Sequence, residues 1–320
     1  MSSEYLKGKR VADPILTSVA RGYKNADFIS SFIFPRVGVE KEGIKVPTFG
    51  KGVFATYETL RAMGAASNIA TREKTGTMDI VLDEHDLAFP VDYREQHESM
   101  FNEQAKAVKR ARNGILLSQE VAAAAMAQST SLYLKENVRK FTATDSWAGG
   151  KGDPVRDVSS GMDAVRNAIG LRPNLMVMGA SVLPLLRFHP ALQAVMGANE
   201  RKRITVELMK DIFEIENIVI GYPVKLEDND KKDAAAKTVD IWKDNLMLFH
   251  VSGPQNEGDN GDENEPSFGY TFELNGLPVA DTYPGEGGKI SYARYTDIYK
   301  MAVVGGDAGY IMTNLKGASK

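Results

Sequence analysis

The strongest helical pattern in the chain is EQHESMFNEQAKAVKRARNGILLSQEVAAAAMAQSTSLYLKENVRK at residues 95–140, a stretch that contains no proline. Its alanine run is the best helix-forming composition available, whereas Gly114 costs about 1 kcal/mol relative to alanine and predicts a bend. A helix near residues 99–137 within this stretch would be roughly 60 Å long, so we expect an elongated molecule. Apolar residues recur on one predicted face at steps compatible with a helix, namely Phe101, Ala105, Val108, Ile115, Ala122, Met126 and Tyr133.

The same stretch carries a basic cluster made of Lys106, Lys109, Arg110 and Arg112. Charged residues on a helix usually form a solvated face, but a basic cluster also suits nucleic acid or an acidic neighbour. The sequence leaves both interpretations open.

Upstream of the helix, residues 44–92 read as strands that form a long hairpin. Between the strands, RAMGAASNIATREKTG at residues 61–76 is small and polar, and it predicts a wide tip. Because a two-stranded hairpin is marginally stable in water, we expect it to lean on a partner subunit. The alternating apolar positions are Met78, Ile80 and Leu82, then Leu87, Phe89 and Val91.

Residues 1–40 mix a short helical spacing with a stop at Pro35, and they are too few to bury their own apolar side chains. They predict an arm, packed either on its own chain or across a neighbour. Downstream of the long helix, residues 153–221 alternate helices with the strands Leu175–Met178 and Asn217–Ile220, as in a compact α/β domain. Past residue 238 the chain becomes β.

The composition is that of an ordinary globular protein, with 43% hydrophobic and 25% charged residues among 320. The net charge is −3, without the basic excess typical of a DNA-binding domain. There is no cysteine, so disulfides and thiolate chemistry are excluded. The sequence predicts no signal peptide and no membrane-spanning segment.

Motifs for catalysis and metal binding fail at specific positions. The four histidines (His85, His97, His189 and His250) form no ligand pair, and MGASVLP has Leu183 where a nucleophile elbow needs glycine. The acidic stretch PQNEGDNGDENEP at residues 254–266 lacks EF-hand spacing and reads as a solvated loop between strands. We therefore expect no catalytic residue, no cofactor and no metal.

In their order along the chain, several segments resemble the major capsid proteins of tailed bacteriophages. The resemblance covers nearly the whole length and does not depend on one motif. It is carried by DPILTSVARGYKNADFISSFIFPRVGVEKEGIKVPTFGK, VFATYETLRAMGAASN, DIVLDEHDLAFPVD, TDSW, DPVRDVSSGMDAVRNAIGLRPNLMVMGASVLPLLRFHPAL, ELMKDIFEIENIVIGYPV, PSFGYTFELNGLPVADTY and AGYIMTNL.

The resemblance implies an α+β subunit with the tailed-phage major capsid fold. Its parts would be an N-terminal arm at 1–40, an extended β-hairpin loop at 41–92, a peripheral domain with a long spine helix at 93–152, an α/β axial domain at 153–295, and a C-terminal strand at 296–320 that returns to the peripheral domain. The candidate inter-subunit contacts on the arm and loop are Phe28, Phe32, Phe34, Tyr57, Arg61, Arg72 and Phe89.

The implied function is structural. The subunit would assemble with itself into pentamers and hexamers, forming an icosahedral head that encloses the phage dsDNA without sequence-specific binding. Further implied partners are a portal protein, a separate scaffolding protein and a decoration protein. The location would be the virion, after assembly in the host bacterial cytoplasm and without a membrane.

Two alternatives remain open at this point, an encapsulin-type nanocompartment shell with the same fold and an α/β hydrolase-like enzyme. Some relatives crosslink a loop lysine to an asparagine. Lys74 and Asn68 lie in or near the loop, but the sequence identifies no such pair.

Overall fold

The computed structural model of the chain describes residues 28–48, 51–64, 66–70, 76–99, 102–195, 204–227, 237–252 and 266–317. Most of the predicted arm, Arg72, Lys74 and most of the acidic stretch at 254–266 lie outside these ranges. In the described part of the chain, no helix is long and apolar enough to cross a membrane. The helices there are α1 Ser30–Ile33, α2 Tyr93–Glu98, α3 Glu103–Ala127, α4 Pro154–Ile169, α5 Leu183–Arg187, α6 Pro190–Val195 and α7 Val206–Phe213.

The strands form two larger sheets and two small ribbons. Their bounds are β1 Arg36–Val39, β2 Gly43–Thr48, β3 Gly76–Val81, β4 Asp83–Asp92, β5 Val138–Lys140, β6 Leu175–Gly179, β7 Asn217–Gly221, β8 Val224–Leu226, β9 Thr238–Asp240, β10 Leu246–Phe249, β11 Gly269–Leu274, β12 Val279–Pro284, β13 Ile290–Val303 and β14 Gly309–Thr313.

The first sheet is built around the long strand β13. One edge of β13 pairs with β4, from Ile290 opposite Asp92 to Tyr299 opposite Asp83. The other edge pairs in turn with β12 and β11, and β1 adds to β11 in parallel. Helix α3 packs on this sheet so closely that a Cβ on Gly114 would lie 2.6 Å from Cδ2 of Leu87.

The second sheet has the order β5-β14-β10-β6-β7. Strand β6 (LMVMG) is buried along its whole length, as expected for a strand with both faces covered. Helix α4 packs on this sheet, beginning at Asp153, whose side chain accepts a hydrogen bond from Arg156 N. It ends at Gly170, whose φ of 77° suits a residue without a Cβ.

Helix α3 is shorter than predicted. Its 25 residues span about 37 Å, because residues 128–137 form turns and short 3-10 segments before β5. The sequence QSTS after Ala127 favours local hydrogen bonds that compete with the helix, and Tyr133 turns back to donate its hydroxyl to Ala127 O. The buried residues of α3 are Ala107, Val108, Ala111, Ile115, Gln119, Glu120, Ala123, Ala124 and Ala127.

The predicted apolar face of this helix is therefore partly wrong. Val108 and Ile115 are buried, but Ala122 is exposed and Ala105 is only half-buried. The buried face is rich in alanine because small side chains let the helix lie close to the sheet. A prediction weighted by large apolar residues misplaces such a face.

The hairpin is also shorter than predicted. Only β2 and β3 form it, whereas β4 leaves the hairpin and joins β13. Its stem packs on the first sheet of its own chain, where Val46 and Ile80 meet Ile298. Val46 and Ile80 are the buried residues of the two stem strands and most of β3 is exposed, so contact of the stem with a partner subunit stays a prediction.

Sheet membership differs from the predicted domain boundaries at the C-terminal end. Strands β11 and β12, predicted to lie in the axial domain, belong to the first sheet together with β4. Strand β14, predicted to return to the peripheral domain, pairs with β5, which lies within the predicted peripheral range 93–152, and with β10, which lies within the predicted axial range 153–295. Strand pairing between residues this distant in sequence leaves no local signal.

Candidate assembly surface

The loop after β2 carries large apolar side chains in water. Leu60 is 87% exposed, Met63 103% and Ile69 93%, while Phe54 and Tyr57 are each more than half exposed. Scattered exposed apolar residues are normal on a protein surface, but several on one projecting segment indicate an interaction site.

The tip of this loop is held in a defined shape. The side-chain amide of Asn68 donates to Glu58 O at 2.9 Å and to Leu60 O at 3.2 Å, and so ties the two sides of the tip together. Phe54 packs against the C-terminal end of α4, since a Cβ placed on Gly170 would lie 2.8 Å from Cε1 of Phe54. In the described residues 51–64 and 66–70, the exposed apolar side chains therefore lie on a tip whose two sides are joined through Asn68.

The predicted contact residues fall into different environments. Tyr57 and Arg61 are exposed in the loop, Phe28 and Phe32 are half-buried, and Phe89 is half-buried against the core beneath α3. Arg72 lies outside the described residues.

Phe34 is a correction to the predicted contact set. Its side chain is fully buried within its own chain, with its ring centroid 5.9 Å from that of Phe268. Its carbonyl also accepts a hydrogen bond from the hydroxyl of Thr271. Phe34 is therefore a core residue, because the short helix α1 turns it inward between α3 and β11.

The predicted basic cluster divides in two. Lys106 and Arg110 are exposed, and Lys106 Nζ lies 2.7 Å from the Glu103 carboxylate. Hydrogen bonds from Lys106 and Ser99 lower the pKa of Glu103. Lys109 is half-buried. Arg112 departs from the cluster, because its Nε and Nη1 atoms are buried and it hydrogen-bonds Tyr295 of β13.

A buried polar layer lies where β1, β11 and β13 meet α3. Arg36 Nη1 lies 2.5 Å from Glu273 and 3.3 Å from Asp297, and Arg36 Nη2 donates to Gln119 Oε1 at 3.0 Å. Burial alone would lower the pKa of Arg36, but the charges of these two carboxylates outweigh it and raise that pKa. Burial raises the pKa of Asp297, and it raises the pKa of Tyr295 to about 12.

This layer holds α3 in register with the sheet and has the character of a structural network. No local sequence pattern indicates this layer, because its members come from four separate segments. Among the described residues, no group of three or more His, Cys, Asp or Glu could hold a metal ion.

His189 is held by backbone groups on both ring nitrogens. Ala191 N donates to Nδ1 at 3.2 Å, so Nε2 carries the proton that is donated to Lys151 O at 2.9 Å. A histidine whose two nitrogens are both engaged in this way has a structural role.

The exposed apolar residues Leu60, Met63 and Ile69 were not among the predicted contact residues. Their only sequence signal is that large apolar residues stand isolated in a small, polar, aperiodic segment. An isolated apolar residue in a predicted loop has no core position to fill, so exposure for a partner is the alternative.

Similarity to known proteins connects this surface and fold to a protein family. No family model matches the chain. It is similar to a solved phage-related protein from Bordetella bronchiseptica, with a TM-score of 0.75 and 27% identity over 96% of this chain and 98% of that one. It is also 42% identical over 308 residues, 96% of this chain and 98% of the relative, to a major capsid protein of Burkholderia phage BcepMu.

The chain combines a first sheet covered by helix α3, a second sheet covered by helix α4, and the exposed loop after β2. This arrangement is that of a shell-forming subunit with the tailed-phage major capsid fold. The chain belongs to the family of bacteriophage major capsid proteins. The predicted α+β capsid fold and structural capsid function are thereby confirmed, and the place of such a protein is the virion capsid.

The fold extends to more distant shells. The chain is similar to the SrpI encapsulin of Synechococcus elongatus, with a TM-score of 0.50 and 13% identity over 97% of this chain and 99% of that one. At this identity the likeness concerns the fold alone.

Proposed function

We propose that this subunit assembles into rings of five and six copies that close into an icosahedral head around dsDNA. The observation that carries the proposal is the ordered loop that projects Leu60, Met63 and Ile69 into water. In a ring, each subunit presents its loop to the next, a head-to-tail contact that closes when the rotation matches the ring.

In this proposal the first sheet with α3 is the peripheral domain, and the second sheet with α4 is the axial domain. The stem formed by β2 and β3 is fixed to the first sheet of its own subunit, which gives the loop a rigid base. A rigid base limits the entropy that is lost when the loop tip docks. The apolar side chains of the tip then supply the contact with the neighbour.

The energy of one loop contact follows from the side chains that the neighbour would bury. Full burial of a Leu, Met or Ile side chain contributes about 1.5–3 kcal/mol. Three such side chains would contribute roughly 4–9 kcal/mol to each contact before the cost of association. Many contacts act together in a closed shell, so each can be modest.

The charge of the chain suits a container for DNA. A net charge of −3 gives a shell without the basic excess that would hold the polymer through its phosphates. The exposed Lys106 and Arg110 remain candidates for contact with an acidic neighbour or with DNA. A portal protein, a separate scaffolding protein and a decoration protein are proposed partners, with assembly in the host bacterial cytoplasm and no catalytic activity.

The encapsulin alternative has the same fold, so the fold similarity to the SrpI shell does not separate the two functions. The two functions differ in cargo. A phage head encloses nucleic acid, whereas an encapsulin shell encloses protein.

The experiment is expression of the full chain, followed by electron microscopy and analysis of purified particles. We expect closed shells or tubes whose packaged content, when they are isolated from phage-producing cells, is DNA. A protein cargo with no DNA would support the encapsulin alternative. A small oligomer at every concentration would contradict both.

A further inference from the structure

Glu120 of α3 is a fully buried carboxylate at the junction of three parts of the chain. Its Oε1 atom accepts the indole N–H of Trp242 at 2.7 Å. Its Oε2 atom accepts Ser30 N at 2.8 Å, and Ile29 N lies 3.1 Å from both oxygens. In the described part of the chain its partners are all N–H groups, which stabilise a buried anion without a counter-ion.

Gln128, which caps the end of α3 about two turns after Glu120, also hydrogen-bonds the segment around Trp242. Its Nε2 atom donates to Ile241 O at 3.0 Å, and its Oε1 atom accepts from Asn245 Nδ2 at 2.7 Å. Residues at this spacing lie on nearly the same side of a helix. Glu120 and Gln128 therefore hold the segment 241–245 at two points.

The segment 241–245 is itself fixed to the second sheet. A Cβ on Gly221, the last residue of β7, would lie 2.2 Å from Cδ1 of Trp242. A Cβ on Gly179, the last residue of β6, would lie 1.7 Å from Lys243 O. Helix α3 is fixed to the first sheet, so the two side chains of α3 connect one sheet to the other.

The same carboxylate also anchors the start of α1. It accepts hydrogen bonds from the backbone N–H groups of Ile29, the residue before α1, and Ser30, the first residue of α1. One side chain therefore bonds the segment that leads into β1 of the first sheet and, through Trp242, the segment that is fixed to the second sheet.

The apolar core between the sheets does not fix that angle by itself. Hydrophobic burial has no directional preference, and the apolar cluster here extends continuously through α3 and both sheets. Hydrogen bonds are directional, with steep losses when they are bent. The polar contacts of Glu120 and Gln128 therefore favour one relative orientation, together with the backbone hydrogen bond from Phe268 N to His250 O at 3.0 Å, which also joins the two sheets.

We propose that Glu120, together with Trp242, is a positioning joint that sets the curvature of the shell. The proposal rests on the proposed function, because curvature is defined only once subunits form shells. Loss of one hydrogen bond to a charged group weakens the preferred orientation by about ten- to a hundredfold. Subunits would then adopt several angles, and shells would lose their uniform diameter.

The test compares two matched substitutions in the full-length chain. Trp242→Phe removes the indole N–H that bonds Glu120 and keeps an aromatic ring in the core. Trp147→Phe is the control, because Trp147 is equally buried and donates its indole N–H to the Asp157 carboxylate at 2.8 Å. That pair lies within the second sheet's unit and so does not touch the joint.

The readouts are the diameter distribution of particles by electron microscopy and the unfolding midpoint of the unassembled subunit. We expect both variants to lose similar stability, but only Trp242→Phe to reduce the fraction of shells with the wild-type diameter, by about tenfold. Gln128→Met, which breaks the second bond pair, should produce the same broadening to a smaller extent.

The outcomes separate the inference from the proposed function. If the wild-type chain forms no shells or tubes, the proposed function fails. If the wild type forms uniform shells and Trp242→Phe forms shells as uniform as those of Trp147→Phe, the positioning joint is wrong. If Trp242→Phe does not fold, uniform shells formed by Gln128→Met would equally overturn it.

Discussion

Replacement of the exposed apolar side chains of the loop should prevent assembly without harming the fold. In the variant Leu60→Ser, Met63→Ser, Ile69→Ser, the three substituted side chains are 87%, 103% and 93% exposed in the subunit. Exposed substitutions away from special features usually change the free energy of unfolding by no more than about 0.5 kcal/mol. The subunit should therefore unfold in urea at nearly the wild-type midpoint.

Assembly should respond very differently. If the neighbour buries these side chains, the variant loses roughly 4–9 kcal/mol for each contact. Because about 1.4 kcal/mol corresponds to a factor of ten, the concentration needed for assembly should rise by at least about a thousandfold. Sedimentation velocity on a concentration series would measure it.

The matched control is Val224→Ser, which removes an apolar side chain that is 45% exposed and lies outside the loop. It should assemble at a concentration much closer to that of the wild type. Shells formed by the triple variant at the wild-type concentration would show that these three side chains contribute no binding energy, contrary to the proposal. A large drop in its unfolding midpoint would refute the assumption that the loop is external.

Other predictions concern stability and the shape of the loop. Burial raises the pKa of Asp297, so its contribution to stability is present at low pH and is lost as the pH rises through that pKa. Asp297→Asn should therefore be more stable than wild type in urea unfolding at pH 7, and this difference in stability should disappear near pH 4. An equal difference at both pH values would contradict the prediction. Gly179→Ala should lower the free energy of unfolding by at least about 3 kcal/mol, because its Cβ would lie 1.7 Å from Lys243 O. The control is Gly43→Ala, whose Cβ would meet nothing within 4 Å and which should change the same quantity little. Asn68→Ala should leave the unfolding midpoint unchanged and weaken assembly about tenfold, since it releases both carbonyls that shape the loop tip.

The sequence predicted the elements better than it predicted their partners. The helical pattern correctly placed a long helix through Val108 and Ile115, since periodicity is a local property. The predicted helix extended past the observed end at Ala127. Residues such as Ser129 and Thr130 favour local hydrogen bonds over continuation of a helix, but this preference is too weak to locate a helix end from sequence. The alternation in β4 was equally clear, but its partner β13 lies about 200 residues away and has no local signature.

The candidate site was predictable only in outline. The resemblance to capsid proteins located the loop, but the residues chosen there were aromatic or basic, and Phe34 is a core residue. Leu60, Met63 and Ile69 were missed because exposure depends on what surrounds a residue in space. The burial of Glu120 could not be predicted for the same reason, since a glutamate in a helix usually faces water.

In a closed shell, the exposed loop should lie within the contact surface of a neighbouring subunit. Hydrogen exchange of the backbone at residues 55–70 can be measured on the unassembled subunit and on purified particles. We expect fast exchange in the free subunit and strong protection in particles, with unchanged exchange in the buried strand β6. Equal protection of the loop in both states would contradict this expectation.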